Sequence, residues 1–416
     1  DERGIKMKKW IGISALIVLL VLIFTGMFIQ GDMGVLDSIG GSNPGENVTS
    51  QPDALDDSFT QTPPLETDKV ERIEYSTLKI IAAGDLMFHM PQINSAKQAD
   101  GSFNFFPPFE HVTEYIQEAD MAIANLETVT GGDHLGFSGF PRFNSPEAVL
   151  DAIAEAGFDV LVTSNNHTLD RGKKGIINTI DKIKERGLEY IGTSKDTRRP
   201  YIVEDRNDIK VGILSYTYGL NGLDSLLTQE ERSNMVNLID KDLIREDIRA
   251  LEVEEVDLVM AYLHWGYEYH SNPSQDQIEL AEFLSHSGVD IILGTHPHVV
   301  QKVDIIHTDS KMTLVVYSMG NFISNQRYDT MGVSATEDGM MIQIEVEKDM
   351  VSGNTHVKTL RMIPTWIHRS WQAGAYEYRI LPVEAALEGE LDMDLDPATV
   401  KRLERSLTET TKALGD

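Results

Sequence analysis

From Tyr75 onward two patterns of apolar and polar positions alternate along the chain. Short runs of β-favouring residues, "LKIIAAGD", "FDVLVTSN", "DLVMAYLHW", "VDIILGTH" and "LVVYSMGNF", predict buried strands. Between them "SPEAVLDAIAEAG", "GIINTIDKIKERG" and "SQDQIELAEFLSHSG" return apolar residues every three or four positions and predict helices, the first capped by Ser145 and closed by Gly157. "IVEDRNDIKVGILSYTY" predicts a hairpin. After about Gly339 the chain is richer in β-type runs, and it ends in a charged amphipathic helix from Pro397 to Leu414. Strand and helix in regular succession predict an α/β body with parallel segments.

The start of the chain follows a different pattern. "RGIKMKK" precedes "WIGISALIVLLVLIFTGMFIQ", an uncharged stretch from Trp10 to Gln30 that as a helix reaches about 30 Å, one hydrocarbon thickness. A cleaved signal peptide is the alternative, but its apolar run is usually about 7 to 15 residues and an A-x-A-like cleavage site should follow. Basic residues Arg3, Lys6, Lys8 and Lys9 before the span, with acidic residues after it, predict a cytoplasmic N-terminus and an external body. Residues after Gly31 are rich in Gly, Ser, Pro, Thr and Asp without an apolar period, and read as a solvated tether. The expected organisation is a basic start over 1–9, a membrane anchor over 10–30, a flexible extracellular linker over 31–75, a folded domain over 76–390 and a helical tail over 391–416.

Composition narrows the chemistry. A formal net charge of −30 over 416 residues argues against nucleic acid as a partner, so an anionic substrate must be held locally by metal ions or a few cationic side chains. With no Cys there is no disulfide, thiolate zinc site or Cys nucleophile, and metal ligands must come from His, Asp, Glu and Asn. Those donors suit divalent Mn, Fe, Zn or Mg.

Candidate ligands recur at the strand ends. Asp85 follows "LKIIAAG", Glu127 follows "MAIANL", Asn166 and His167 follow "FDVLVTSN", His264 ends "DLVMAYL", and His296 and His298 follow "VDIILGT". Any one of them reads equally as a turn, a cap or a structural imidazole. Five successive strand ends carrying such residues predict a cage of carboxylate, amide and imidazole groups, as two-metal hydrolases use.

The ordered blocks "AAGDLMFH", "ANLET", "RFNSPEAVLDAIAEAGFDVLVTSNNHTLDRG", "YLHWGYEY", "GTHPHVVQ" and "YSMGNFISN" resemble the CapA family of poly-gamma-glutamate capsule synthesis proteins, a branch of the calcineurin-like metallophosphoesterases. The resemblance covers about Leu78 to Phe322. It implies two packed β-sheets flanked by helices, a four-layer sandwich, with a dinuclear centre at the strand ends. By that resemblance Asp85 and Glu127 are carboxylate ligands, Asn166 an amide ligand, and His264, His296 and His298 imidazole ligands. His167 looks like the general acid, and Asp170 either orients it or caps the next helix. Glu127 stands where the superfamily has a bridging Asp, and Met87 stands where it has a His, with His89 two residues further on.

Candidate substrate-binding residues complete the set. Arg142 in "FPRFNSP" could clamp a phosphate or carboxylate or form a surface ion pair. Asn125 is a further candidate; Trp265, Tyr267, Glu268 and Tyr269 either line a substrate channel beside His264 or pack a strand-loop corner, and Asn321 supports the site through hydrogen bonds. The expected function is membrane-anchored synthesis or export of poly-gamma-glutamate with two divalent ions (Mn, Fe or Zn), in company with membrane synthase or export subunits. The alternatives are an extracellular metal-dependent hydrolase of phosphoesters or polymer amide bonds, and a non-catalytic metal-dependent polymer-binding subunit.

Overall fold

The structure is a computed structural model that describes residues 74–309, 311–372 and 374–414. The predicted anchor over 10–30 and nearly all of the predicted linker lie outside the described residues; among the described residues no helix is long and apolar enough to cross a membrane.

Among the described residues fourteen strands follow in chain order: β1 (Tyr75–Leu86), β2 (Met121–Leu126), β3 (Val160–Val162), β4 (Glu189–Ile191), β5 (Tyr201–Arg206), β6 (Ile209–Thr217), β7 (Leu258–His264), β8 (Ile291–Thr295), β9 (Val303–His307), β10 (Met312–Val316), β11 (Asn321–Ile323), β12 (Asp338–Asp349), β13 (Thr355–Gln372) and β14 (Ala375–Pro382). One mixed sheet has the order β14-β13-β12-β1-β2-β3-β4, with β11 also pairing β1; the other has the order β5-β6-β7-β8-β10-β9. Within them β1, β2, β3 and β4 are mutually parallel, as are β6, β7, β8 and β10. The predicted hairpin is the antiparallel β5-β6 pair, turned through Asn207 and Asp208 at positive φ.

The apolar runs read as nearly continuous because these strands are buried on both faces. Their period of two sorts the side chains into two layers. Leu78, Ile80 and Ala82 of β1, with Met121 and Ile123 of β2, meet Val211, Ile213, Met260, Tyr262 and Leu293 of the second sheet. The intervening Ile81, Ala83, Ala122 and Ala124 pack instead under the helices Ala148–Ala156 and Gly172–Glu185. On the far side Leu214, Tyr216, Ala261 and Leu263 pack against helices Lys241–Val253 and Gln275–His286. The result is a helix, sheet, sheet, helix layering, as the family resemblance implied. The C-terminal helix Pro397–Leu414 lays Leu403 on Trp366, Leu381 and Val383.

One expected cap is corrected. Helix Ala148–Ala156 is preceded by Glu147 without a side-chain cap, because the Ser145 hydroxyl is paired with Thr128 Oγ1 at 2.8 Å. Gly157 does close that helix in the left-handed region at φ 105°.

The β1-β11 contact is unusually close just before Asp85. A Cβ on Gly84 would lie 1.9 Å from the Gly320 carbonyl oxygen. Gly84→Ala should therefore force the backbones apart and lower the unfolding free energy by about 1–3 kcal/mol or more, read from the midpoint of urea unfolding. An unchanged midpoint would mean that this approach is not present in solution.

Candidate metal centre

Because β1, β2, β3 and β6, β7, β8 run parallel within their sheets, their carboxyl ends collect along one edge of the sandwich, where open α/β sheets present ligand-binding side chains. Asp85 stands at the penultimate position of β1, in register with Asn125 of β2 and Asn321 of β11. Glu127 is the first residue past β2, its N–H donating to the Leu86 carbonyl at 3.1 Å. His264 ends β7 opposite Thr295 of β8. The turn after β8 holds His296 at φ 95° and His298 at φ 57°, a backbone region that costs a non-glycine residue energy. It is held there by the Tyr269 N–H, which donates to the Pro297 carbonyl at 2.8 Å.

These residues converge in a buried cluster. Asp85 Oδ2 lies 3.0 Å from His298 Nδ1, and Asp85 Oδ1 accepts from Asn125 Nδ2 at 2.8 Å. Glu127 Oε1 is 3.6 Å from His264 Nε2 and 3.7 Å from His298 Nε2, and Asn166 Oδ1 is 3.1 Å from His264 Nε2. Two donor sets result, Asp85-Glu127-His264 and Glu127-His296-His298, each with its ligand atoms within 4.8 Å of one another. Glu127 belongs to both.

Among the described residues neither oxygen of Glu127 has a hydrogen-bond partner in this buried position, and neither does His296 Nδ1. Burial, reinforced by the neighbouring Asp85, pushes the Glu127 carboxyl well above the usual carboxylate range. Burial, with the other imidazoles next, pushes His264 and His296 well below the usual histidine range. An isolated buried carboxylate is costly, and a cation placed among these atoms would bring the Glu127 carboxyl back down and hold the imidazoles in the neutral form that ligates. The donor set, oxygen and imidazole nitrogen without sulfur, fits a divalent metal of the Mn, Fe or Zn kind.

Beside the cage His167 Nδ1 meets Asp170 Oδ2 at 2.8 Å, both residues buried. Asp170 Oδ2 also accepts the Phe143 N–H at 2.6 Å, and the Phe143 ring stands edge-on to His167 with centroids 4.7 Å apart. Asp170 thus orients His167, and the alternative cap does not form: the following helix Gly172–Glu185 has Arg171 at its N-cap without a side-chain cap.

The remaining candidates take diverse positions. Exposed Arg142 donates through Nε and Nη2 to the Asp170 carbonyl, at 3.0 and 2.6 Å, so two of its donors hold the loop that carries His167. Asn125 lies beneath the cage, bonded to Asp85 and accepting from Asn165 Nδ2 at 3.1 Å. Asn321 Nδ2 donates to Gln326 Oε1 and to the Thr336 carbonyl, each at 3.0 Å. Glu268 is exposed, whereas Trp265 is buried and donates to the Tyr317 carbonyl at 2.9 Å, a corner-packing residue.

Residues missed by sequence reasoning stand here too. The Tyr218 ring, 47% exposed, lies 4.5 Å from that of His296, and Asn165 Nδ2 donates to the Leu126 carbonyl at 2.8 Å. Burial pushes the Tyr218 phenol up to about 12, so it is a neutral donor at physiological pH. The strand-end rule would have found Tyr218 had β6 been read as the neighbour of β7.

Fold and donor set together define an α/β protein of two mixed sheets whose strand ends form a buried metal-capable centre. The chain belongs to the bacterial capsule synthesis protein family PGA_cap, whose family model matches residues 79–326. It is 29% identical over 284 residues to the capsule biosynthesis protein CapA of Bacillus anthracis, a match covering 66% of this chain and 65% of that relative. It is 24% identical over 293 residues to the PGA biosynthesis protein CapA of Bacillus subtilis (strain 168), covering 68% of this chain and 72% of that one. Among solved structures it is similar to the calcineurin-like phosphoesterase YfkN of Bacillus subtilis, at 14% identity and a TM-score of 0.42, covering 82% of this chain and 99% of that one. It is similar also to the NAD nucleotidase NadN of Haemophilus influenzae, at 13% identity and a TM-score of 0.46, covering 82% and 68%.

Proposed function

We propose that this chain is a membrane-anchored protein of poly-gamma-glutamate capsule synthesis or export, with two divalent ions held at the strand ends and a hydrolytic step carried out beside them. The observation that carries the reading is the pair of donor sets sharing the buried Glu127, which has no hydrogen-bond partner among the described residues. Asp85, Glu127, Asn166 and His264 would hold one ion, and Glu127, His296 and His298 the other, with Glu127 between them. Bound ions of this kind polarise a phosphoryl or acyl oxygen and make water a competent nucleophile near neutral pH.

The side chains supply the rest. Asp170 accepts from His167 Nδ1 and leaves Nε2 to carry the proton given to a leaving oxygen. Arg142 and Phe143 keep that pair in place by bonding the Asp170 carbonyl and carboxylate. The expected substrate is an anionic envelope polymer or its precursor, which the acidic chain can admit because the ions provide the positive charge.

The test compares His167→Ala with Asp85→Ala for metal content and for capsule output in cells that rely on each variant. Full output with His167→Ala and none with Asp85→Ala would replace the hydrolytic reading by a metal-dependent polymer-binding subunit.

The uncharged run Trp10 to Gln30 and its flanking charges support an external body on a cytoplasmic-side anchor. Protease added to intact cells with a permeabilised wall should release that body by cutting between Gly31 and Glu74. Protection of the full-length chain alongside a cytosolic marker would overturn the orientation.

A further inference from the structure

We infer that His89 is a neutral hydrogen-bond donor to an oxygen of the bound oxyanion, phosphoryl or carboxylate, and not a metal ligand. The inference rests on the metal-site reading above and adds a substrate contact to it. His89 lies just past β1, where the chain leaves Asp85 and turns into the short helix Met90–Ala96. Its backbone is fixed by its own N–H, which donates to Gln92 Oε1 at 2.8 Å. Its Nδ1 accepts the Asn325 N–H at 3.3 Å. Asn325 is itself anchored, its Oδ1 accepting from the Tyr378 hydroxyl at 2.7 Å and from Arg369 Nη1 at 3.2 Å.

A ring nitrogen that accepts an amide N–H carries no proton, so the neutral imidazole keeps its hydrogen on Nε2. Burial, opposed only in part by a side-chain hydrogen bond with Gln92 and reinforced by the nearby His298 and His167, pushes the ring down to about 4. Ligation through Nε2 would move the proton to Nδ1 and set it against the Asn325 N–H. The anchoring therefore favours donation over ligation.

The position suits a substrate contact. The His89 ring stands edge-on to Phe143 with centroids 5.1 Å apart, and Phe143 stands edge-on to His167 on its other side. Two imidazoles thus flank one phenyl ring, each with Nδ1 anchored and Nε2 free of any protein partner among the described residues. His167 has a carboxylate on its Nδ1, whereas His89 has an amide N–H there. Met87, two residues nearer to Asp85, is buried with its sulfur 3.8 Å from Ser324 Oγ and takes no part.

The experiment uses the full chain in detergent, loaded with manganese, and measures metal by elemental analysis and inorganic phosphate binding by calorimetry. His89→Ala should keep the wild-type metal content and bind phosphate about 10- to 30-fold more weakly, the worth of one hydrogen bond to an anion. His89→Gln, whose amide N–H can stand close to the Nε2 position, should regain most of that affinity and also reports on folding. Loss of metal in either variant, unchanged phosphate affinity in His89→Ala, or a manganese-loaded wild type that ignores phosphate would each overturn the assignment. A wild type that takes up no manganese would sink the metal site itself, which separates the two failures.

Discussion

Asp85→Ala, and separately the double variant His296→Ala with His298→Ala, should strip most of the bound metal, from about two ions per wild-type chain to a small residue by elemental analysis. Asp85 brings a carboxylate oxygen to one donor set and bonds His298 of the other, so its loss disturbs both. The double variant leaves the second set with Glu127 alone. Even groups behind the ligands usually change metal affinity by about 10–100-fold, so removing the ligands themselves should exceed that. Stability should fall as well, because the buried Glu127 carboxylate loses the cation that offsets its burial. Undiminished metal in the double variant would mean that the cage is wrongly composed.

His167→Ala should behave in the opposite way. The imidazole bonds Asp170 and stacks edge-on against Phe143, and it belongs to neither donor set. Metal content and unfolding midpoint should stay near wild type, while turnover of a hydrolysable substrate falls by about 10² to 10⁴, the usual worth of a positioned general acid. Asp170→Asn should give a smaller loss, because an amide can present the wrong group to Nδ1 and mis-set the ring. Substantial loss of metal with His167→Ala would place the residue among the ligands and remove its assignment as the acid.

Local pattern carried much of this. The near-continuous apolar runs of β1, β3, β7 and β8 marked strands buried on both faces, and the helices between them were visible from their apolar period, because both signals reside in residues a few positions apart. Ser145 shows the limit: its sequence context reads as a cap, yet its hydroxyl is taken by Thr128, a partner from another element. Arg142 shows it again, since nothing local reveals that its guanidinium reaches the Asp170 carbonyl.

The sequence by itself determined the succession of strands and helices, the acidic, thiol-free chemistry, and the presence of a ligand-type residue at each of five strand ends. Tertiary structure alone decided which of those residues meet. Asp85 and His298 are 213 positions apart and touch only because β1 and β8 lie in two sheets stacked with their carboxyl ends on one edge. That stacking also made Glu127 the shared member of two donor sets, while the pairing of β11 with β1 brought the amide of the distant Asn325 to His89. Contacts of that range depend on how whole sheets pack, and packing is set by the sum of many buried side chains rather than by any short stretch of residues.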